Sequence, residues 1–289
     1  MNGEAQALVR EGMDYLKQEQ HTEAERVFKE ATELDPNYIE AWGNLGITYS
    51  VSGRPEKAAK CFDRAFEINP EYPWTWGAWG NHLSIHGAEE KAEEALQKCL
   101  SLDANNPKVW ASLGMLYMDR ETNEAEDAFR KALELDPDNH ALRYHFVDML
   151  NDRHKFEAAE ENLRIIIEAM PENARAWSML GIVLYNQGHA RKGLELSAKA
   201  LQLAPDDFRV AWRHARLCFK TGHLEQTRTT MARVLKINPT FVRGWHFLID
   251  VLKRMGHPQE VIGVQYALQE LLRANPYCRV NEMGFLVPA

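Results

Sequence analysis

A spacing of about 34 residues organises this sequence more strongly than any other feature. Tryptophans recur at this interval, and so do prolines and two sets of glycines. The recurring positions are Trp42, Trp76, Trp110, Trp177, Trp212 and Trp245; Pro36, Pro70, Pro137, Pro171, Pro205 and Pro239; Gly12, Gly46, Gly80, Gly114 and Gly181; and Gly53, Gly87, Gly188, Gly222 and Gly256. Such a period predicts stacked structural repeats, whereas length alone, at 289 residues, would suggest about two domains.

Each period has the pattern of two helices joined by a short turn. In residues 41–70, apolar residues at helical spacing precede a glycine-containing break, a second periodic run and a terminal Asn-Pro. The residues that match the pattern W-x2-L-G-x2-Y, A-x3-F and P are Trp42, Leu45, Gly46, Tyr49, Ala58, Phe62, Ala65 and Pro70. Because the match recurs along the chain, the sequence resembles the tetratricopeptide repeat family.

The resemblance implies an all-α fold, an α-solenoid of about eight helix-turn-helix repeats in a right-handed superhelix. We expect one solenoid over residues 1–276 and a C-terminal tail over residues 277–289. The units start near residues 5, 39, 73, 107, 140, 174, 208 and 242. Positions that depart from the pattern are Leu8, Arg143, Val147, Gly193, Ala215, Arg216 and Val261. Irregular packing is therefore expected in the fifth unit and in the seventh, where Ala215 and Arg216 stand for Leu-Gly.

The last predicted helix is apolar on more than one side. Residues 258–276 carry apolar side chains nearly all around the helix, which predicts burial on two sides. A solenoid must cover the apolar face of its last helix. Two candidates are open: the tail, with its apolar residues, docking on the last helix, or a second subunit in a homo-oligomer through the C-terminal end. The tail is the favoured prediction.

The sequence contains none of the common catalytic or nucleotide-binding motifs that we looked for in it. It contains no GxSxG, HExxH, GxxxxGK[ST] or GxGxxG motif, so we expect no catalytic residues, no enzyme activity and no cofactor. The histidines near the turns should lie about 10 Å apart, too far for two of them to share one metal ion. These are His154, His189, His223 and His257.

The cysteines and the hydropathy of the sequence predict the cellular compartment. Four widely spaced cysteines without a CxxC motif indicate neither a disulfide framework nor a zinc site, so a reducing, cytoplasmic location is expected. The N-terminal residues show no export signal, and no run of about 18 apolar residues predicts a membrane span.

The concave groove remains as the candidate site, because in the tetratricopeptide repeat family it is lined by the first helix of each unit and binds peptides. Relative to each repeat tryptophan, positions two before, one after and five after share a helix face distinct from the core stripe. The groove residues that we single out are Trp74, Asn44, Asn81, Gly43, Gly77 and Met115 in the first half, and Arg175, Arg213, Arg243 and His246 in the second.

The stretch PWTWGAWGN, residues 73–81, contains three tryptophans that separate by helical phase. Trp76 lies on the recurrent core position, and Trp79 lies three residues further on the same stripe. Trp74 falls two residues before Trp76, on the groove face. We therefore expect two of these rings in the core and Trp74 in contact with a ligand.

Charge differs between the two halves. Residues 1–139 hold 14 Lys and Arg against 27 Asp and Glu, whereas residues 140–289 hold 20 against 15.

The favoured function is a scaffold that binds a protein or peptide segment with apolar and acidic residues. The overall negative charge of the chain disfavours nucleic acid as a partner. An RNA-binding helical-repeat protein and an accessory subunit of an enzyme complex remain as alternatives.

Overall fold

A computed structural model describes residues 3–118, 123–275 and 278–288. In these residues consecutive helices pair by short turns, which confirms the all-α solenoid of helix-turn-helix repeats. The helices are α1 (Gly3–Lys17), α2 (His21–Leu34), α3 (Ile39–Val51), α4 (Pro55–Ile68), α5 (Pro73–Ile85), α6 (Glu89–Leu102), α7 (Pro107–Leu116), α8 (Glu124–Leu135), α9 (His140–Asp152), α10 (Phe156–Ala169), α11 (Ala174–Asn186), α12 (Ala190–Leu203), α13 (Phe208–Lys220), α14 (Leu224–Ile237), α15 (Val242–Met255) and α16 (Pro258–Ala274). Two strands, β1 (Cys278–Val280) and β2 (Leu286–Pro288), form an antiparallel hairpin.

The chain divides into two compact units, Met1–Leu142 and Arg143–Ala289, here called the first and the second unit. We use "repeat" for each of the eight helix pairs. Within the described residues, no helix has both the length and the apolar character needed to cross a bilayer.

The repeat tryptophans tie neighbouring repeats together by a recurring hydrogen bond. In five of the six repeat tryptophans, the indole N–H donates to the carbonyl oxygen six residues earlier, at the end of the preceding repeat. The pairs are Trp42 to Pro36 at 3.0 Å, Trp76 to Pro70 at 2.7 Å, Trp110 to Ala104 at 2.9 Å, Trp177 to Pro171 at 2.7 Å and Trp245 to Pro239 at 2.8 Å. The bond fixes the distance along the chain between each of these tryptophans and the end of the preceding repeat. Ala104 shows that the carbonyl, not the proline ring, is the required partner.

Phe62 illustrates how three helices share one core. It is fully buried on α4, and its ring lies against Gly46 of α3, where an added Cβ would be 3.0 Å from the ring. Trp79 of α5 packs on the other side, with ring centroids 5.4 Å apart. The small residue of the repeat pattern therefore admits the large ring that joins one repeat to the next.

The turn within seven of the eight repeats places one residue in the left-handed conformation, and the turn of the fourth repeat lies outside the described residues. In five repeats this residue is glycine, with φ between 69° and 89°. The corresponding residues of the first and fifth repeats are Glu19 and His154, with φ of 59° and 58°. A side chain at positive φ crowds the following carbonyl, whereas glycine does not. The second set of periodic glycines thus has a conformational cause.

Two substitutions in these turns should change the free energy of unfolding in opposite directions. We expect Gly53→Ala to lower the free energy of unfolding by about 1 kcal/mol, and Glu19→Gly to raise it by about 1 kcal/mol. An added Cβ at Gly53 would meet no atom within 4 Å, so only the backbone conformation is affected. Urea unfolding of both variants measures the two changes, and equal signs would contradict this account.

The seventh repeat is shifted by one residue from the register that Trp212 suggests. The helix α13 begins at Phe208, three residues before Ala211, just as α3 begins three residues before Trp42, so Ala211 takes the place of the repeat tryptophan. His214 and Ala215, both buried, take the Leu-Gly positions that the sequence analysis assigned to Ala215 and Arg216. The assignment to Ala215 and Arg216 is therefore wrong by one residue. The buried His214 is satisfied by the Ser197 hydroxyl, 2.8 Å from its Nδ1 atom.

The turn glycine reveals this shift in the sequence itself. Trp42 lies eleven residues before Gly53, and Trp177 lies eleven before Gly188. Counting back eleven residues from Gly222 reaches Ala211. The tryptophan was a misleading marker here because its neighbour carries the core position.

Arg143 replaces the repeat tryptophan in the fifth repeat and is buried nonetheless. Its guanidinium donates to the Asn162 Oδ1 atom at 2.9 Å, which joins α9 to α10 by a polar contact. Val147 fills the glycine position and is also buried. This repeat keeps its helix pair with a different set of contacts.

The last helix buries one side only, which corrects the expectation of burial on two sides. Val261 and Leu268 are buried in the second unit's core, whereas Ile262 and Tyr266 are 60% and 62% exposed. Gln265 is exposed and lies twenty residues after Trp245, as Phe62 lies twenty after Trp42. A polar side chain at this joining position allows α16 to end the stack facing water.

The described part of the tail, residues 278–288, docks at the start of α15 and leaves the exposed face of α16 open. The Leu286 N–H donates to the Thr240 carbonyl at 2.9 Å, and the Arg243 N–H donates to the Gly284 carbonyl at 3.1 Å. The tail is thus ordered against the second unit, but at a place other than the outer face of the last helix. Residues 276, 277 and 289 lie outside the described residues.

Candidate partner-binding groove

The first unit contains a pocket of about 340 Å³ on the first helices of its first three repeats. We call it the first-unit pocket. Its walls are Gln6, Val9, Arg10, Met13, Tyr38, Glu40, Asn44, Tyr72 and Trp74. Three aromatic rings and two apolar side chains form most of this lining, and the charged groups are Arg10 and Glu40. Such a mixture is typical of sites that bury an apolar side chain and orient it by a few polar contacts.

Trp74 forms one wall of the first-unit pocket and is half-buried. Its ring lies directly over Gly43 of the preceding repeat, where an added Cβ would be 2.1 Å from Cζ3. Tyr72 flanks it, with ring centroids 6.4 Å apart. The missing side chain at Gly43 therefore lets the six-membered ring of the indole contact α3 directly, and Trp74 also lines the pocket.

Glu40 and Tyr72 form a fixed polar group in the pocket. The Tyr72 hydroxyl donates to the Glu40 Oε1 atom at 2.8 Å. Burial and this carboxylate together raise the pKa of Tyr72 to about 12, so the phenol stays protonated. Asn44 is buried and donates its amide to the Glu40 carbonyl at 2.8 Å. The orientation of these groups is thus set before any ligand binds.

The other residues singled out in the first unit lie outside this pocket. Gly77 is buried, and an added Cβ there would meet Val109 and Cys99 at 3.3 and 3.5 Å, so it provides space for packing between repeats. Asn81 is exposed on α5, and Met115 is exposed on α7. Among the described residues, neither lines the first-unit pocket.

Tyr38 and Tyr72 line the pocket although the sequence analysis did not single them out. Both precede a repeat tryptophan by four residues and are 34 residues apart. The same period that marks the core therefore marks them. They were missed because the position lies at or before the start of each helix, where helical phase is not defined.

The second unit contains two small clefts that share Arg213. We call them the arginine clefts. One, of about 70 Å³, is lined by Val147, Asp148, Asn151, Met179, Ile182, Val183 and Arg213. The other, of about 50 Å³, is lined by Ile182, Tyr185, Arg213, Arg216, Leu217 and Lys220. The predicted groove residue Arg213 thus lies between them, on α13.

Cations around the clefts lie over aromatic rings. The Arg175 guanidinium is 4.0 Å from the centroid of Tyr144, and the Lys220 ammonium is 5.2 Å from that of Tyr185. Such contacts hold a cation in place without neutralising it. Positive charge therefore remains available along this face.

Burial and a neighbouring cation both disfavour the charged form of Arg213. Burial and the nearby Arg175 lower the pKa of its guanidinium, and only Asp148 and Asp207 offset them. Burial raises the pKa of Asp148 although its side chain reaches solvent, because protein atoms crowd the cleft. Asp148, a residue absent from the sequence-based set, is thus the acidic group inside the cleft.

Arg243 and His246 have different surroundings. Arg243 is exposed, and its guanidinium donates to the Glu282 carbonyl of the tail at 3.4 Å. Its backbone is held by the tail as described above. His246 is exposed on the next turn of α15. The tail therefore occupies the surface beside Arg243, which the sequence analysis assigned to a partner.

Within residues 3–118, 123–275 and 278–288, no three His, Cys, Asp or Glu side chains converge as a metal site would require. The four cysteines are free thiols. Burial raises the pKa of Cys61 to about 12 and that of Cys218 to about 11, so neither is a thiolate at neutral pH.

Comparison with known families gives one match over most of the chain. The family model described as cilia and flagella-associated protein 70 C-terminal domain matches residues 2–214. The match covers the whole first unit and continues into the seventh repeat. It includes the first-unit pocket and the Arg213 position.

Similar solved structures share the fold at low sequence identity. A tetratricopeptide repeat protein from Parabacteroides merdae aligns with 87% of this chain and 100% of its own, with a TM-score of 0.59 and 14% identity. PilF of Pseudomonas aeruginosa aligns over 72% and 93%, with a TM-score of 0.54 and 21% identity. YrrB, described as a tetratricopeptide repeat protein with an unusual peptide-binding site, aligns over 63% and 95%, with a TM-score of 0.52 and 21% identity. These similarities establish the fold alone.

A short segment is similar to a much larger protein. Over 94 residues the chain is 30% identical to the serine/threonine-protein kinase TOR of Oryza sativa subsp. japonica. The segment is 31% of this chain and 4% of that kinase, so the chain spans a small fraction of this relative.

Proposed function

Because the chain belongs to the family of the cilia and flagella-associated protein 70 C-terminal domain, a tetratricopeptide repeat family, we propose that it is a non-catalytic scaffold that binds a segment of a partner protein. The first-unit pocket is the proposed site. A side chain with an apolar or aromatic body would lie against Trp74 and Met13, and its backbone would meet the polar groups at Glu40 and Asn44. The four free cysteines favour a reducing compartment such as the cytoplasm.

The lining of the first-unit pocket is the observation that carries this proposal. Trp74 lies over the bare backbone of Gly43, so part of a large ring faces a cavity where a protein core would have filled it. Met13 is 44% exposed at the opposite wall. Burial of an apolar side chain between these two residues would contribute about 1.5–3 kcal/mol. The YrrB structure, described by its peptide-binding site, supports this use of the fold by analogy.

The proposal is tested with peptides selected on the wild-type protein from a displayed library of random 15-residue sequences. We expect Trp74→Ala and Met13→Glu to weaken binding of the selected peptides at least tenfold, because each removes or charges a wall of the pocket. A tenfold loss corresponds to about 1.4 kcal/mol. Fluorescence polarisation with labelled peptides measures the change.

Val51→Glu is the matched control. Val51 is an apolar residue of the same unit, is 48% exposed and does not line the first-unit pocket. Its replacement should leave peptide affinity unchanged. Failure to select any peptide, or selected peptides that bind both pocket variants normally, would refute the proposed site. A gel shift with single-stranded RNA by a chain of net charge −8 would favour the RNA-binding alternative.

A further inference from the structure

Arg213 is half-buried and lacks the polar partner that several other arginines of the second unit have. Arg164 is paired with Glu160 at 2.7 Å, Arg228 with Glu225 at 3.0 Å, and Arg143 bonds Asn162. For Arg213, no hydrogen bond and no carboxylate within 4 Å occur among the described residues of the chain. A half-buried guanidinium with five donors and no acceptor is unusual, because its desolvation is then uncompensated.

The surroundings of Arg213 leave positive charge in excess. Arg175 stacks on Tyr144 of α9, and Arg216 and Lys220 extend the same face of α13. Asp148 is the carboxylate that opposes them inside the clefts, and it is too distant to form an ion pair with Arg213. These four cations thus outnumber the two carboxylates, Asp148 and Asp207, whose charges act on Arg213. A further anion placed at Arg213 would be stabilised by all four cations.

Resting on the proposed scaffold function, we propose that the arginine clefts bind the carboxylate of an Asp or Glu side chain in the partner segment, with Arg213 as the bidentate donor. The planar guanidinium matches a carboxylate by two parallel N–H···O bonds. The apolar walls Ile182 and Leu217 would contact the methylene groups of the same side chain. Arg175 and Lys220 would add long-range attraction.

The size of the clefts favours a carboxylate over a phosphate. A planar carboxylate is smaller than a tetrahedral phosphate group. The clefts are small, about 70 and 50 Å³, so each accepts a side-chain terminus and no larger group. We therefore name acidic peptides, not phosphopeptides or nucleic acids, as the ligand class.

The test uses three fluorescein-labelled 12-residue peptides in which leucine alternates with glutamate, glutamine or phosphoserine. At low ionic strength we expect wild-type protein to bind the glutamate peptide at least tenfold more tightly than the glutamine peptide. Arg213→Gln should abolish this ratio, and Arg213→Lys should keep part of it, because lysine retains the charge without the bidentate geometry. Asp148→Asn should strengthen binding of the glutamate peptide, an effect that a purely structural Arg213 would not produce.

Arg233→Gln is the matched control, since Arg233 is a half-buried arginine of the second unit, paired with Asp206 at 3.3 Å, and lines neither cleft. It should leave the glutamate-to-glutamine ratio unchanged. Absence of binding to the glutamate peptide, equal binding of the glutamine peptide, tighter binding of the phosphoserine peptide, or an unaltered ratio in Arg213→Gln would each overturn the inference. Met13→Glu, which tests the first-unit pocket, should leave the ratio intact, so the two proposals can fail separately.

Discussion

Replacement of Gly193 by alanine is expected to destabilise the second unit by about 3 kcal/mol, although alanine is the residue that the repeat pattern places there. A Cβ on Gly193 would lie 2.5 Å from the Gly181 carbonyl oxygen and 3.0 Å from the Tyr185 nitrogen. Both are backbone atoms of α11, which cannot rotate away as a flexible side chain would. The two helices would have to separate, and contacts along their length would be lost.

Gly263→Ala is the matched control for this prediction. Gly263 also lies inside a helix, but an added Cβ there would meet no atom within 4 Å. We expect this variant to gain up to about 1 kcal/mol, because alanine is the stronger helix former. Denaturant unfolding monitored by circular dichroism compares the two. A Gly193→Ala protein as stable as wild type would show that α11 and α12 lie further apart than this structure has them.

The same glycine shows which parts of the fold could be predicted from the sequence. The helix pairs, their turns and most core positions follow from periods of 34 and 3.6 residues, because the same residue types recur at the same positions in several repeats. Gly193 departs from the pattern, and a sequence alone does not distinguish a defect from an adaptation. Here the cause lies in Gly181, across the helix pair, because two glycines allow a closer approach than glycine and alanine.

The candidate site was predictable to a smaller degree. Helical phase separated Trp74 from Trp76 and Trp79, and Trp74 does line the first-unit pocket. The phase did not predict the contact of Trp74 with Gly43, because that depends on how one repeat is rotated on the next. Nor could it predict that Arg213 lacks a partner, since pairing depends on distances between α9, α11 and α13. Individual contacts between repeats are therefore the part that the structure adds.

Truncation of Phe285 in the tail is expected to cost about 2–3 kcal/mol. The ring packs against Phe208 and Phe241, with centroids 5.4 and 4.8 Å apart, and Phe285 pairs with Phe241 by a β-bridge. Phe241 is buried and belongs to the core shared by α13, α14 and α15. Phe285→Ala would leave part of this aromatic cluster exposed to water, and the hairpin would lose its main apolar contact.

Because repeats interact only with their neighbours, the loss should be confined to the last repeats. We expect hydrogen exchange in Phe285→Ala to become faster in α15 and α16, with α11 and α12 unchanged, together with a lower unfolding midpoint. Met283→Ala is the matched control, since Met283 lies in the same hairpin and is 65% exposed; its effect should stay within about 0.5 kcal/mol. If the two variants behaved alike, the tail would not dock on α15 in solution, and Arg243 would be free to contact a partner.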